Sequence, residues 1–243
     1  MQPFLIAVQF LTCLPVRLSG MPEPHQVGRS LLYYPLVGLL LGAVFWLLGL
    51  GLASAAPALQ AALVLTAWVG LTGALHLDGL ADSADAWLGG LGDRERTLTI
   101  MKDPRSGPMA VTVLVLLLLL KFVALWTLIQ QGLLLALLLA PLMGRGALLA
   151  LFLTTPYVRP GGLGQTLVER MPRAGVSVVL AAVVLGCLLA GASGWMALAL
   201  TAVTVFLVRH SLCRRLGGTT GDTAGALLEL VECSVLVGLA VLG

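Results

Sequence analysis

The chain contains seven long apolar stretches, and this feature restricts its fold more than any other. A helix needs about 20 consecutive apolar residues to cross the hydrocarbon core of a bilayer. The stretches lie at residues 33–55, 58–77, 109–130, 133–153, 176–192, 195–208 and 224–242. Because hydrophobic residues make up 59% of the chain and charged residues only 10%, a soluble globular domain is excluded. We therefore predict an all-α, polytopic integral membrane helix bundle with about seven transmembrane helices.

Three stretches are shorter than a full span. Residues 176–192 and 195–208 are separated only by a short glycine-containing turn, so they form either a tight helical hairpin or one span plus a partial one. Residues 3–16 are also apolar but short, which predicts an N-terminal interfacial or re-entrant helix. No stretch is polar enough to build a separate soluble domain, so residues 1–243 are expected to form a single membrane domain.

The basic residues alternate with the apolar stretches. The turns near 54–58, 130–132 and 191–194 contain no Lys or Arg. The segments between them carry Arg17 and Arg29, then Arg94, Arg96, Lys102 and Arg105, then Arg159, Arg170 and Arg173, then Arg209, Arg214 and Arg215. The positive-inside rule places the N-terminus and all of these segments in the cytoplasm. Since the net charge is only +3 and the basic residues form no stripe, nucleic acid is not expected as a partner.

Six of the eleven Asp and Glu residues lie between positions 78 and 103. Asp78, Asp82 and Asp85 stand at i, i+4 and i+7, so on a helix their side chains project from one face within about two turns. Like charges on one face repel unless a cation joins them. Mg²⁺ prefers carboxylate oxygen and is usually completed by substrate phosphates. The three aspartates are therefore candidate metal ligands, and the pattern indicates metal-assisted phosphoryl chemistry at a membrane.

The segment 102–107 follows the acidic helix and contains groups suited to phosphate. Lys102, Asp103 and Arg105 lie within four residues, in a turn shaped by proline and glycine. Arginine can contact a phosphate through two parallel hydrogen bonds, whereas lysine acts as a point charge. Lys102 and Arg105 are therefore candidate phosphate ligands, although an ordinary basic loop is the alternative interpretation.

The segment 217–222 is a glycine-rich turn that leads directly into a predicted helix. Gly218, Thr219, Thr220 and Gly221 resemble turns that present backbone N–H groups and a helix N-terminus to phosphate. The turn lacks the Gly-Lys-Ser/Thr sequence of a P-loop and is weak as an isolated motif. Asp222, which follows it, suits a metal or a hydroxyl better than a phosphate.

Charged residues also fall inside the predicted spans. Glu229 and Glu232 share one face of the last span, and Lys121 and Arg145 lie near the middle of the third and fourth. Because an intramembrane charge costs about 2.5–3.5 kcal/mol on insertion scales, each cation is expected to pair with an interior acid. At this point the pairs can equally stabilise the bundle or hold a substrate phosphate. His76, two residues before the acidic face, is either a general base, a partner of a ligand or a structural histidine.

Five segments of the chain carry a family resemblance. They are Phe10-Leu-Thr-Cys-Leu-Pro-Val16, Tyr34-Pro-Leu-Val-Gly38, Gly73-Ala-Leu-His-Leu-Asp-Gly-Leu-Ala-Asp-Ser-Ala-Asp85, Met101-Lys-Asp-Pro-Arg-Ser-Gly107 and Gly217-Gly-Thr-Thr-Gly-Asp222. Together they resemble the cobalamin synthase family over essentially the full length. The combination of His-Leu-Asp-Gly-Leu-Ala-Asp with Lys-Asp-x-Arg is specific. Ala86-Trp87 and Pro108-Met109 differ from the residues typical of the family. They lie beside the acidic residues without replacing any of them, so the difference concerns the fit of the substrate more than the activity.

The resemblance implies a reaction, a cofactor and a location. A ribose hydroxyl of α-ribazole, or of its 5′-phosphate, attacks the cobinamide-side phosphorus of adenosylcobinamide-GDP, and GMP leaves. Mg²⁺ is the expected cofactor because it neutralises the diphosphate. The protein is expected in the bacterial cytoplasmic (inner) membrane, with the lipid bilayer as partner and the active site facing the cytoplasm. Whether it forms a homo-oligomer is left open.

The resemblance also assigns roles to the candidate residues. The expected metal ligands are Asp78, Asp82, Asp85 and Asp222. The expected substrate-binding residues are Lys102, Arg105, Gly218, Thr219, Thr220, Gly221 and Glu229. Either Asp103 or His76 is expected to be the base for the incoming hydroxyl.

Two other classes of membrane protein share part of this pattern. A CDP-alcohol phosphotransferase also uses clustered aspartates, but its Asp-x-x-Asp-Gly-x-x-Ala-Arg signature is absent, since Asp82 follows Ala81. A secondary transporter would line a path with Lys121, Arg145 and Glu229. Transporters often contain paired repeats, and no internal repeat is visible here.

Overall fold

The computed structural model describes residues 1–18, 20–161 and 163–243, and these form an almost entirely helical chain. Twelve α-helices lie within the described residues. They are α1 (Gln2–Leu11), α2 (Pro24–Ser30), α3 (Tyr34–Gly51), α4 (Pro57–Thr72), α5 (Leu75–Gly89), α6 (Arg94–Ile100), α7 (Pro108–Gln130), α8 (Ala136–Thr154), α9 (Leu163–Glu169), α10 (Arg173–Leu189), α11 (Gly191–Leu216) and α12 (Gly221–Leu242). The prediction of an all-α membrane bundle is confirmed.

Among the described residues, five helices are long and apolar enough to cross a membrane, compared with the seven spans expected. They are Pro24–Gly51, which joins α2 to α3, and α7, α8, α11 and α12. The count becomes six if α4 and α5 form one bent span. The apolar stretch 176–192 forms α10, which has only 17 residues, whereas the stretch 195–208 belongs to the 26-residue α11. The ten-residue α1 is the short N-terminal helix that the sequence predicts.

The predicted span at 58–77 is not one straight helix. α4 ends at Thr72, and α5 leaves at 85° to it. Gly73 and Ala74 join the two helices with φ values of +61° and +57°. Glycine adopts this left-handed conformation readily, whereas alanine does so at a cost. Of the two residues that make the bend, only Gly73 can therefore be recognised from the sequence as a candidate for a positive φ. The bend turns the acidic helix α5 across the bundle.

The basic segments gather at one end of the bundle, which we call the basic end. Arg94 donates a hydrogen bond to the carbonyl of Leu216 at 2.8 Å, and Arg215 donates to the carbonyl of Trp87 at 2.6 Å. Further bonds join Arg173 to Leu153 and Arg209 to Thr154. At the opposite end, the uncharged turn after α7 contacts α12 through Gln131 and Ala240. The alternation of basic and uncharged turns in the sequence therefore corresponds to two ends of the bundle.

Helix α8 is the most buried of the five spanning helices and packs between α3 and α12. Gly38 allows the close approach of α3, since a Cβ there would lie 2.5 Å from the carbonyl oxygen of Pro141. Larger residues would push these helices apart, because interior packing leaves no room for the added atoms. This tight α3–α8 pair forms one side of the cavity described next.

Candidate active site

A cavity of about 430 Å³ opens near the basic end of the bundle. Charged and hydrogen-bonding side chains line part of it, namely His76, Asp78, Tyr157, Arg159 and Asp222. A second cavity, of about 440 Å³, is lined by apolar residues and hydroxyls and by no carboxylate. We take the first cavity as the candidate active site because it combines carboxylates with a guanidinium group.

The first cavity has Asp78 and Asp222 in its wall because α5 and α12 approach each other closely. A Cβ on Gly79 would lie 2.7 Å from the carbonyl oxygen of Asp222, and one on Gly225 would lie 3.3 Å from the Cα of His76. A side chain at Gly79 would therefore force the two backbones apart, whereas one at Gly225 would need a shift of only a few tenths of an ångström. Asp82, one turn beyond Asp78, lies within electrostatic range of Asp78, Asp222 and Arg159. The structure thus brings three of the four predicted metal ligands into one region.

The fourth predicted ligand, Asp85, is engaged elsewhere. Its two carboxylate oxygens accept hydrogen bonds from the backbone N–H groups of Gly107 and Ala110, the latter at 3.0 Å. These groups lie at the start of α7, where the first N–H groups of a helix lack intrahelical partners. Asp85 therefore caps α7 from a neighbouring helix.

Arg159 is the functional candidate that the sequence analysis missed. It lies in the loop after α8 and donates a hydrogen bond to the carboxylate of Asp222, with both side chains partly exposed. It lines the main cavity and also a small cavity of about 40 Å³ shared with Lys102 and Thr220. In the sequence Arg159 is one of many basic loop residues, and no motif distinguishes it.

The glycine-rich turn is tied to the same loop. The N–H of Thr219 donates to the carbonyl of Pro156 at 2.8 Å, and the N–H of Val158 donates to the carbonyl of Thr219 at 2.9 Å. A Cβ on Gly218 would lie 2.3 Å from the oxygen of Pro156. The N–H of Thr219 is thus used in a hydrogen bond to the loop that carries Arg159. The glycine-rich turn therefore holds this loop in place.

Thr220 has a capping role at the start of α12. Its hydroxyl accepts from the N–H of Thr223 at 3.2 Å, and its own N–H donates to the Thr223 hydroxyl at 2.9 Å. This reciprocal arrangement fixes the beginning of α12. Of the four predicted phosphate-binding residues of the turn, Gly221 lines the main cavity, and Thr220 lines the small one.

The predicted cations of segment 102–107 occupy different positions. Arg105 pairs with Asp103 through hydrogen bonds of 2.7 and 2.9 Å, and 86% of its side chain is exposed. These bonds lower the pKa of Asp103 to about 2. Neither residue lines the main cavity, whereas Lys102 lines the small cavity beside Arg159. Lys102 is therefore nearer to the candidate site than its neighbours Asp103 and Arg105.

The intramembrane charges form a buried network. The Nζ atom of Lys121 lies 2.6 Å from a carboxylate oxygen of Glu229 and 2.7 Å from one of Glu232, and Arg145 donates to the other oxygen of Glu232. Lys121 also lies over the ring of Trp68, 5.2 Å from its centroid. Each cation thus has an interior acid as partner. Glu229, expected to bind substrate, is buried in this network and does not line the cavity.

His76 lies in the cavity wall and is 6% exposed. Its Nδ1 atom is buried without a hydrogen-bond partner. Of the two predicted bases, His76 is the one that the structure places at the cavity.

The acidic residues of the cavity offer carboxylate oxygens, which are the ligands that Mg²⁺ prefers. Among residues 1–18, 20–161 and 163–243, no three His, Cys, Asp or Glu side chains are close enough to hold a metal ion by themselves. Magnesium, however, usually retains several waters and binds through one or two carboxylates plus substrate phosphates. Asp78, Asp82 and Asp222 therefore fit as a partial ligand set that a phosphate-bearing substrate would complete.

Comparisons with known proteins give one consistent family. Residues 3–240 match the family described as cobalamin-5-phosphate synthase. Proteins named adenosylcobinamide-GDP ribazoletransferase are similar from end to end: that of Stutzerimonas stutzeri strain A1501 is 68% identical, covering 99% of this chain and 98% of the relative. Those of Pseudomonas putida strain KT2440 and Pseudomonas entomophila strain L48 are 67% and 61% identical, covering 99% or more of both chains. No solved structure matches.

Proposed function

This chain belongs to the cobalamin-5-phosphate synthase family and catalyses the ribazole-transfer step of cobalamin biosynthesis, and we propose adenosylcobinamide-GDP and α-ribazole, or its 5′-phosphate, as its substrates. A ribose hydroxyl oxygen attacks the cobinamide-side phosphorus, and the bond from that phosphorus to the bridging oxygen breaks. GMP leaves with that oxygen, and adenosylcobalamin or its 5′-phosphate is formed. The names of the relatives support both substrates.

The observation that carries this proposal is the meeting of Arg159, Asp222 and Asp78 in one cavity. Arg159 binds the diphosphate of the donor, because a guanidinium group can contact two phosphate oxygens at once. Lys102, beside it, adds a second positive charge. Phosphoryl transfer depends mainly on positioning and on charge stabilisation, which fixed cations at the site provide.

Mg²⁺ is the proposed cofactor, held by Asp78, Asp82 and Asp222. When bound, it neutralises charge on the diphosphate and on the departing GMP. The three carboxylates belong to two helices that approach closely at Gly79, and the phosphate groups of a bound substrate would complete the set of ligands. Asp85 is left to its capping role at α7.

His76 is the proposed base for the incoming hydroxyl. Its ring lines the cavity, and an unprotonated ring nitrogen accepts the hydroxyl proton as the new bond to phosphorus forms. Asp103 is unsuited to this step because it pairs with Arg105 and does not line the cavity.

The site is proposed to face the cytoplasm from the inner membrane. The basic segments lie at the same end of the bundle as the cavity, and lysine and arginine accumulate in cytoplasmic loops of membrane proteins. The diphosphate of the donor and the ribose of the acceptor are polar, so a site opening to the aqueous cytoplasm suits them.

The test is GMP release by detergent-purified protein given adenosylcobinamide-GDP and α-ribazole, with Mg²⁺ or with EDTA, and with the corrinoid product identified by mass spectrometry. We expect magnesium-dependent GMP release with one cobalamin formed per GMP. Asp82→Asn is expected to remove turnover while leaving membrane insertion and monodispersity intact. GMP release without α-ribazole, or no release by well-folded protein, would contradict the proposed reaction.

A further inference from the structure

The main cavity has two chemically different parts. Asp78 is exposed, and Arg159 and Asp222 are partly exposed, so the charged groups lie at its opening. Four almost fully buried apolar side chains also line the cavity, namely Leu11, Leu148, Phe152 and Leu167. Tyr34 and His76 also line it, but the Tyr34 hydroxyl and the His76 Nδ1 are buried. The interior of the cavity therefore suits an apolar group attached to a polar one.

The volume of about 430 Å³ restricts which substrate can enter. Ligand pockets of roughly 300–1,000 Å³ hold one drug-sized molecule. A corrin macrocycle carrying a nucleotide is much larger than this, so the donor cannot be enclosed as a whole. Only one nucleoside-sized piece of the two substrates fits: the guanosine of the donor or the α-ribazole acceptor.

The apolar wall distinguishes between these two pieces. Guanine carries several hydrogen-bond donors and acceptors, and each one buried without a partner costs about 1–3 kcal/mol. α-Ribazole is the riboside of an alkyl-substituted benzimidazole, an aromatic base with little hydrogen-bonding capacity. Burial of this base against leucine and phenylalanine is favourable.

We infer that this cavity is the acceptor subsite: it encloses the benzimidazole of α-ribazole against Leu148 and Phe152, with the ribose turned toward Asp78 and Asp222. This inference rests on the proposed ribazole transfer. The donor then binds outside the cavity, with its diphosphate at Arg159 and Lys102. The hydroxyl attacks from within the cavity and GMP departs outward, which suits a displacement with the attacking and leaving oxygens in line.

The kinetic test is Leu148→Phe, which adds volume to the apolar wall. We expect the KM for α-ribazole to rise by about tenfold or more, because a filled apolar pocket discriminates at this level, while the KM for adenosylcobinamide-GDP stays within about twofold. The matched control is Leu153→Phe on the same helix, since Leu153 is half-buried and does not line the cavity. Its two KM values should match those of the wild type.

Leu148→Ala provides the opposite change and does not depend on the larger residue being tolerated. It should raise the KM for α-ribazole and improve the relative use of a riboside with a bulkier fused aromatic base. A rise in the KM for the donor alone, in either variant, would overturn the inference and assign the cavity to guanosine.

Equilibrium dialysis with radiolabelled α-ribazole, without any donor, separates this inference from the proposed reaction. Binding that Leu148→Phe weakens by about tenfold, and that Leu153→Phe leaves unchanged, supports the acceptor subsite even if turnover fails. No binding of α-ribazole, together with binding of radiolabelled guanosine that Leu148→Phe weakens, would overturn it. Absence of GMP release by wild-type protein that binds α-ribazole would instead count against the proposed reaction.

Discussion

Arg159 donates a hydrogen bond to the carboxylate of Asp222, although 63 residues separate them in the chain. Both side chains line the same cavity and remain partly exposed, at 30% and 20%. The pair can therefore exchange partners when a substrate arrives. In the proposed reaction a donor phosphate would replace the carboxylate at Arg159, and Asp222 would then be free to bind Mg²⁺.

Replacing Arg159 with Gln is predicted to lower kcat/KM by about 100-fold, because a charged group that stabilises the transition state typically contributes this much. Arg159→Lys should fall between Arg159→Gln and the wild type, since lysine keeps the charge but loses the two-point contact. Steady-state GMP release measures both. The control is Arg105→Gln, which removes an exposed cation that pairs with Asp103 outside the cavity and should cost little activity. Equal losses in Arg105→Gln and Arg159→Gln would refute the assignment.

Asp85 is predicted to act on stability more than on catalysis. Asp85→Ala removes the acceptor for the N–H groups of Gly107 and Ala110, and loss of a helix cap typically costs about 1 kcal/mol. Thermal unfolding in detergent should show a lower midpoint, while activity per folded molecule stays near that of the wild type. Asp85→Asn, which keeps one acceptor oxygen, should retain more stability than Asp85→Ala. A folded but inactive Asp85→Asn protein would return Asp85 to the metal site.

The acidic face illustrates how far the sequence could predict the site. The spacing of Asp78 and Asp82 correctly indicates a shared face of a helix, since helix periodicity is a local property. Asp85 shares that spacing, yet it caps α7, a contact between segments 22 and 25 residues apart in the chain. Local periodicity therefore identified the helix face but could not identify the tertiary partner of each carboxylate.

The bend after α4 and the role of Arg159 were outside the reach of sequence patterns for a related reason. Ala74 adopts a positive φ at the bend from which α5 leaves to pack on α12, and alanine carries no local signal for that conformation. Arg159 is placed by the backbone contacts between its loop and Thr219, which join residues about 60 positions apart. The charge alternation, in contrast, predicted which turns share one end of the bundle, because it reflects the membrane itself.

Magnesium removal is predicted to abolish GMP release, and added Mg²⁺ should restore it. Asp222→Asn is expected to raise the half-saturating Mg²⁺ concentration by about tenfold or more, because loss even of a residue that only orients a ligand typically costs 10–100-fold. Activity titrated against free Mg²⁺ measures this shift. Glu169→Gln, an exposed acid at the end of α9, is the matched control and should leave the titration unchanged. Full activity in EDTA would exclude a metal requirement.

Asp103→Asn is predicted to leave the pH dependence of kcat/KM unchanged between about pH 5.5 and 9. Hydrogen bonds from Arg105 lower the pKa of Asp103 to about 2, so the group stays ionised throughout this range and any stabilisation from the pair is lost only as the pH falls toward 2. A group that does not titrate in the range cannot shape the profile. Loss of the acidic limb in Asp103→Asn would make Asp103 the base and would exclude His76.

The buried network of Lys121, Glu229 and Glu232 is predicted to stabilise the bundle without taking part in catalysis. Lys121→Met leaves two buried carboxylates with Arg145 as their remaining cation, and breaking a buried pair typically costs about 3–5 kcal/mol. Unfolding in mixed micelles should show this loss, and Lys121→Met combined with Glu229→Gln should recover part of it because the uncompensated charge is removed.

Leu120→Met, on the exposed face of α7, is the matched control for Lys121→Met and should unfold like the wild type. Because neither Lys121 nor Glu229 lines the cavity, the folded fraction of each variant should turn over at nearly the wild-type rate. An inactive Lys121→Met protein of unchanged stability would instead connect the network to the substrate. The two readouts together therefore decide between the two roles that the sequence left open for the intramembrane charges.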